Sequence, residues 1–361
     1  MNIMYLLFSF TVGGIERLMV DVANGMSKKH NVTVCVINDY YSQELIYELD
    51  ERVNVILMKR PVGKGGKLKC MTDIYKIVKS NNIDILHCQG MNCIQASMFV
   101  KLLVPKIKIY NTVHDVNNYS RYNKLQVILG NIMCKKIVAI SKAVEREILD
   151  KKVPDSKVEV VYNAIDTDKF KCRKRIKLDT DNIVIGNIAR VYPEKKGQDL
   201  LVRAAAVLCD RGYNVKCIFA GEPMKGNIKY IDELVKLAEK LNVADRVDFL
   251  GNIMNVPEVI EKINIFALPS RFEGFGISVI EAMAMERLCV VCDIEGPKEI
   301  MGSEKLGYTF KKGDYMDLAD KLEMAINNYN SFDFDYIRNY VEDKYSIKNM
   351  LVKLERIYEL E

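Results

Sequence analysis

Twice along this chain, short apolar runs rich in β-branched residues alternate with helical patterns. That alternation limits the fold more than any other feature. In the first half the strand-like runs are 3–10, 31–37, 53–58, 83–87, 107–113, 136–140 and 158–161, with helical patterns at 14–27, 70–80 and 93–103 between them. A second series has strand-like runs at 183–188, 216–220, 247–249, 263–268, 289–292 and 308–310, and helical patterns at 198–211, 230–241, 256–262 and 315–329. Strand, helix, strand in repetition predicts a parallel sheet with helices on both faces. At 361 residues the chain is too long for one ordinary core. Two doubly wound α/β domains are therefore expected, at 1–165 and 166–335. Residues 336–361 read as an amphipathic helical tail that packs back on the first domain. In open α/β sheets ligands collect at the carboxyl ends of strands, so the turns there are where the chemistry belongs.

The richest of these turns is Ser270-Arg-Phe-Glu-Gly-Phe-Gly-Ile-Ser-Val-Ile-Glu281. An apolar run closed by Pro269 precedes it, and the helix formers Ala282-Met-Ala284 follow. The order is strand, glycine turn, helix. Such a turn exposes backbone N–H groups at a helix start and can hold phosphate. Glu281 falls about two helical turns in, on the side of Glu273. The two acids can bracket a hydroxyl-rich ligand whose phosphates lie at the turn, which describes a nucleotide-sugar. Taken alone, two glutamates around a glycine turn are more often solvated charges.

The whole string resembles the donor-site signature of the family 4 retaining glycosyltransferases, also called glycosyl transferases group 1. That signature is Ser-x-x-Glu-Gly-Phe-Gly, with a second Glu heading a Glu-Ala-Met-Ala helix. The resemblance implies the GT-B fold, two Rossmann-like doubly wound domains facing a central cleft. It extends to other turns. Gly13-Gly14 alone is an ordinary strand–helix turn, but with Ile15-Glu16-Arg17 it is similar to the family's Gly-Gly-x-Glu-Arg segment, which approaches the donor's phosphates and sugar. Arg190, with Lys196-Gly197 after it, resembles the family's Arg-x-x-x-x-Lys-Gly pattern, with one additional residue here. Two cations around a glycine turn suit a diphosphate. Lys195 and Lys196 are adjacent, and Lys196 is chosen because it directly precedes the glycine. Gly221, after Phe219-Ala220, and Asn252-Ile253, after Gly251, close the next two strands and are expected to hold the base through backbone. His114 matches the family's His-Asp position facing the donor sugar, and His87 is a candidate for the acceptor side.

On this reading Glu273, His114, Arg190 and Lys196 carry catalysis. Gly13, Gly14, Gly221, Asn252, Ile253, Gly274, Phe275, Gly276, Ile277 and Glu281 complete the donor site. Glu281 would hold the ribose diol and Glu273 the sugar hydroxyls. The N–H groups around 275–277 would share the leaving diphosphate with Arg190 and Lys196. No bound cofactor and no metal are expected; the donor, a UDP-sugar by family frequency, is a co-substrate. Asp166-Thr-Asp168 and Asp179-Thr-Asp181 spell Asp-x-Asp, a metal–diphosphate motif elsewhere, but both fall in the interdomain connection. The chain departs from the family at Ala284-Met-Glu286-Arg287 and at Glu295-Gly296-Pro297-Lys-Glu299, which leaves the sugar unnamed.

Composition narrows the partners. Apolar residues at 49% and charged residues at 28% fit a soluble globular protein. The ten cysteines are scattered, and Met1–Phe8 reads as a first strand rather than a leader, so a reduced cytoplasmic setting is expected. Cys289-Val-Val-Cys292 reads as buried strand cysteines. The net charge of +5 is uneven: residues 1–165 hold about 23 lysines and arginines against 15 acids. Part of that excess is the run from Lys59 through Arg60, Lys64 and Lys67 to Lys69. It reads either as a solvated loop or as a surface for an anionic membrane or phosphate-bearing acceptor. A lipid-linked saccharide is the expected acceptor, with a protein acceptor as the alternative. Nucleic acid is excluded for want of a basic–aromatic platform. The competing readings are a non-catalytic partner subunit of the same architecture and a nucleotide-sugar epimerase.

Overall fold

A computed structural model describes residues 1–61, 66–117, 119–175, 177–223 and 227–359. The basic run at 59–69 falls partly outside them. The chain forms two compact units, Met1–Ala164 with the segment from Ile347 on, and Ile165–Ser346.

The first unit is built on a parallel sheet of β1 (Asn2–Leu7), β2 (Asn31–Asn38), β3 (Val53–Arg60), β4 (Ile85–Gln89), β5 (Lys108–Val113), β6 (Lys136–Ala139) and β7 (Val158–Val160). Their order is β3-β2-β1-β4-β5-β6-β7. The second unit carries β8 (Ile183–Ile188), β9 (Val215–Ala220), β10 (Val247–Phe249), β11 (Ile265–Leu268), β12 (Leu288–Cys292) and β13 (Gly307–Phe310). Its order is β10-β9-β8-β11-β12-β13, again parallel. Sequence therefore runs outward in both directions from a central pair, β1/β4 in one sheet and β8/β11 in the other. Loops leaving such a pair diverge and open a crevice at their carboxyl ends.

Central strands are buried on both faces, so they read as continuous apolar runs; Ile265–Leu268 and Leu288–Cys292 are wholly buried. Cys289 and Cys292 sit in that core as free thiols. Burial pushes the Cys292 thiol up to about 11 and Cys289 higher still, so both stay protonated.

Two elements differ from expectation. The helix expected over 93–103 is two helices, Met91–Ala96 and Met98–Leu103. At the break, the buried Ser97 hydroxyl donates to the Cys93 carbonyl at 2.7 Å, a back-bond that bends a helix. The tail expected as one helix is also two: Phe334–Tyr345 in the second unit and Ile347–Glu359 in the first. They part at Ser346, whose backbone is extended and bridges to Ile165. Ile347–Glu359 covers the first sheet. Its Tyr358 packs edge-on against Tyr110 at 5.1 Å and His87 at 5.7 Å.

Candidate active site

The turns after β8 and β11 carry most of the residues singled out from sequence. Both leave the central pair of the second sheet. The turn after β8 is fixed on two sides. Toward β9 and β10, Ala189 N donates to Ala220 O at 3.0 Å, Val191 N to Glu222 O at 3.1 Å, and Gly221 N to Gly251 O at 2.8 Å. These bonds join three consecutive strand ends into one rim bearing Arg190, Gly221, Asn252 and Ile253. Gly221 is required there: a Cβ would lie 2.2 Å from Ala189 O, and its φ is +139°. Toward the helix Gln198–Asp210, the buried Gln198 amide donates to Arg190 O at 3.0 Å and accepts from Tyr192 N at 3.4 Å. The Arg190 side chain is exposed on this braced backbone.

On the β11 side, Gly197 has a φ of +68° and a Cβ there would sit 2.0 Å from Pro269 O. That close approach sets the two turns against each other. Arg271 clamps them: it donates to both oxygens of Asp199 at 2.7 Å and to Pro193 O at 2.7 Å. Its backbone N–H donates to Lys195 O at 2.8 Å. The clamp places the Lys196 ammonium 2.5 Å from Glu273 Oε2, with both side chains largely sheltered. Ser270 Oγ donates to the same carboxylate oxygen at 3.4 Å. Of the two adjacent lysines, Lys196 is the one that meets Glu273, while Lys195 gives its carbonyl to Arg271 and Phe272.

Gly274, Phe275 and Gly276 form the turn that opens the helix Ile277–Ala284. Phe275 is buried and packs edge-on against Tyr345 at 5.5 Å, anchoring the turn from below. Gly276 has a φ of +104°. Gly296 touches the turn from the helix Glu295–Met301: a Cβ on it would lie 2.7 Å from the Gly274 carbonyl carbon. Within the segment Glu295–Glu299, where the chain departs from the family, Gly296 is the glycine that this packing needs. Glu281 lies one turn into that helix rather than two, because the helix starts only at Ile277, and it is only 8% exposed. A carboxylate so buried needs hydrogen-bonding partners.

Gly13, Gly14 and His114 belong to the first unit. Gly13 precedes the helix Gly14–Met26 in extended backbone and accepts from Arg17 N at 3.0 Å. His114 follows β5. Its Nε2 lies 2.6 Å from Gln89 Oε1, at the end of β4, and its buried Nδ1 has no hydrogen-bond partner among the described residues. Burial pushes its pKa down to about 4, so the ring is neutral at ordinary pH. His87 corrects an expectation. Rather than lining an acceptor surface it is 2% exposed, with Nδ1 2.5 Å from Tyr358 OH and Nε2 2.7 Å from Thr112 Oγ1. It is a core histidine, held neutral by burial that lowers its pKa to about 3.

The Asp-x-Asp pairs act locally. Asp166 Oδ1 accepts from Asp168 N at 3.0 Å, and Asp179 Oδ1 from Asp181 N at 3.0 Å. Both are Asx turns. Sequence reasoning passed over Gln198, Asp199, Arg271 and Gly296. Arg271 stands inside the motif, and Gln198 directly follows Lys196-Gly197, so position was the available signal.

Comparison with known proteins fits this geometry. The profile described as "Glycosyltransferase Family 4" matches residues 12–169, and that described as "Glycosyl transferases group 1" matches residues 168–340. The capsular polysaccharide biosynthesis glycosyltransferase CapM of Staphylococcus aureus is 27% identical over 358 residues, covering 92% of this chain and 90% of CapM. The O-antigen biosynthesis glycosyltransferase WclY of Escherichia coli is 21% identical and covers 99% of this chain and 98% of its own. HepE of Anabaena, solved in complex with UDP-glucose, superposes with a TM-score of 0.84 at 19% identity, covering 100% of both chains.

Proposed function

Because this chain belongs to the group 1, family 4 glycosyltransferases, we propose that it transfers a sugar from a UDP-sugar to a saccharide or lipid-linked saccharide in surface polysaccharide synthesis, retaining the anomeric configuration. Its two parallel-sheet α/β units are those of the GT-B fold. The observation that carries the reading is the Lys196–Glu273 contact at the carboxyl ends of the central pair β8/β11, with the buried Glu281 on the helix that the same turn opens. A neutral sugar flanked by a diphosphate requires an acid and a cation side by side.

Lys196 and Glu273 satisfy one another. An arriving diphosphate competes for the ammonium, and Glu273 is then free to accept from sugar hydroxyls. Glu281 accepts from the ribose diol. Arg190, exposed at the rim, closes on the phosphates from the other side. As the bond from the anomeric carbon to the phosphate oxygen lengthens, negative charge grows on the diphosphate and positive charge on the sugar ring. Arg190 and Lys196 stabilise the first, and Glu273 the second. The acceptor hydroxyl attacks on the face the leaving group vacates, and its proton passes to the departing phosphate oxygen. These side chains suffice for charge neutralisation, so the reaction is proposed to need no metal. The donor assignment draws on HepE, and the acceptor class on CapM and WclY.

Release of UDP from UDP-glucose and related donors, with and without a lipid-linked saccharide, tests the proposal. Acceptor-dependent release that disappears in Glu273→Ala is expected. Absence of release with every nucleotide-sugar, in a protein whose melting temperature still rises with UDP, would point instead to a binding subunit.

A further inference from the structure

We infer that the helix Lys124–Met133 of the first unit is an interfacial element that inserts its outer face into an anionic phospholipid bilayer. The inference deepens the lipid-linked acceptor reading and rests on it for its purpose, but not for its evidence. The helix is apolar on both sides. Val127, Gly130 and Met133 are buried, and Gly130 faces Met91 and Tyr119. Its outward face carries Leu125, Ile128 and Ile132, which are 77%, 52% and 70% exposed. Spaced three and four apart, they form one stripe. A solvent-facing helix normally shows charge there, and a contiguous apolar patch marks a binding surface.

Met91–Ala96 packs on this helix and leads directly into Met98–Leu103, where Met98, Leu102 and Leu103 are exposed.

Charge decides among occupants. From Ile85 to Val144 the sequence holds eight basic residues and a single acid, Asp115; Lys136 and Lys142 are ion-paired with Glu159 and Glu145, which leaves Lys101, Lys106, Lys108, Arg121, Lys124 and Lys135 as the basic excess. Arg121 and Lys124 stand at one end of the apolar stripe, and Lys135 just past the other. Apolar side chains bordered by cations match the layering of an anionic leaflet, with headgroups outside and acyl chains within. A second copy of this surface would bring like charges together.

The full chain should co-sediment with vesicles of phosphatidylglycerol and phosphatidylcholine in equal parts and not with phosphatidylcholine alone. Binding should weaken as salt rises. The variant Leu125→Ser/Ile128→Ser/Ile132→Ser, which changes only exposed side chains, should partition about tenfold less or worse. Lys124→Glu/Lys135→Glu should also lose binding, most clearly at low salt. Both variants should keep the wild-type melting temperature and its rise with UDP, so loss of membrane docking is read apart from loss of donor binding. Equal partition of the serine variant and the wild type would overturn the inference. So would indifference to phosphatidylglycerol, or a dimer in sedimentation equilibrium that the serine variant dissolves.

Discussion

At the scale of single residues, the second unit holds the Lys196 ammonium against the Glu273 carboxylate. Glu273→Gln removes the negative partner of Lys196 while keeping the shape of the side chain. The lysine then has no carboxylate competing for it, so UDP should bind as well as in wild type or better. Transfer should fall at least about a hundredfold if Glu273 acts as proposed, as the partner of the positive charge developing on the sugar. Isothermal titration with UDP and a UDP-release assay read the two effects separately, and a fall in UDP affinity would contradict the competition. A second residue-scale expectation concerns His87. Folded, its ring takes a proton only near pH 3; unfolded, near its ordinary 6.5. Between those values the unfolded chain binds the proton and the native one does not. The stability it contributes is therefore complete above about pH 6.5 and is lost steadily as pH falls toward 3. Denaturation midpoints between pH 6.5 and 5, above the carboxylate range, should drop with acid, and the slope should shrink in His87→Gln. A flat profile in the wild type would contradict the burial.

At the scale of elements, the site is two turns held in register by one arginine. Arg271 joins the turn bearing Glu273 to the turn bearing Lys196 through Asp199 and Pro193 O. Arg271→Lys keeps the charge but not the fork, so it should lose the bidentate contact at a cost of about 1–3 kcal/mol. Turnover should fall about tenfold or more while KM for the donor changes less, since Arg271 positions rather than touches the ligand. A merely structural role would lower the melting temperature and leave turnover per folded molecule unchanged. The strand–helix alternation was legible from the sequence because β-branched apolar runs and helical periodicity are local properties. The two glutamates stood out because they share one contiguous string, and Lys196 because it precedes a glycine in a second string; that Lys196 meets Glu273 was not legible, since the two lie far apart in sequence. Arg271–Asp199 was not, since the pairing joins positions far apart in sequence and exists only once β8 and β11 are neighbours. Gly296 was hidden for the same reason: its need for no Cβ comes from Gly274, on another loop. The breaks at Ser97 and Ser346 escaped because periodicity runs through both, and only a side-chain back-bond and an extended bridge interrupt it.

At the scale of the whole molecule, the chain leaves the first unit at Ala164 and returns to it at Ile347, so the final helix completes a core begun at the other end of the sequence. Met350, Leu354, Ile357 and Tyr358 are its buried residues. Tyr358 closes over His87, Tyr110 and Tyr5, and Tyr110 OH donates to Ile357 O at 3.2 Å. Burying four such side chains contributes roughly 6–12 kcal/mol by transfer alone, as much as a domain's net stability. Removing residues 347–361 should therefore unfold the first unit while leaving the second, whose sheet and core are its own, folded. Calorimetry of the full chain and of the truncated one should show a transition lost, and limited proteolysis should leave a fragment near 165–346. If the second unit alone holds the nucleotide, UDP should still raise the melting temperature of that remainder while transfer is abolished. A truncated chain that melts like the full one would show that the last helix adds nothing to the first core. Simultaneous collapse of both units would show instead that they fold as one, and the donor site would then owe its shape to the whole chain rather than to the second sheet.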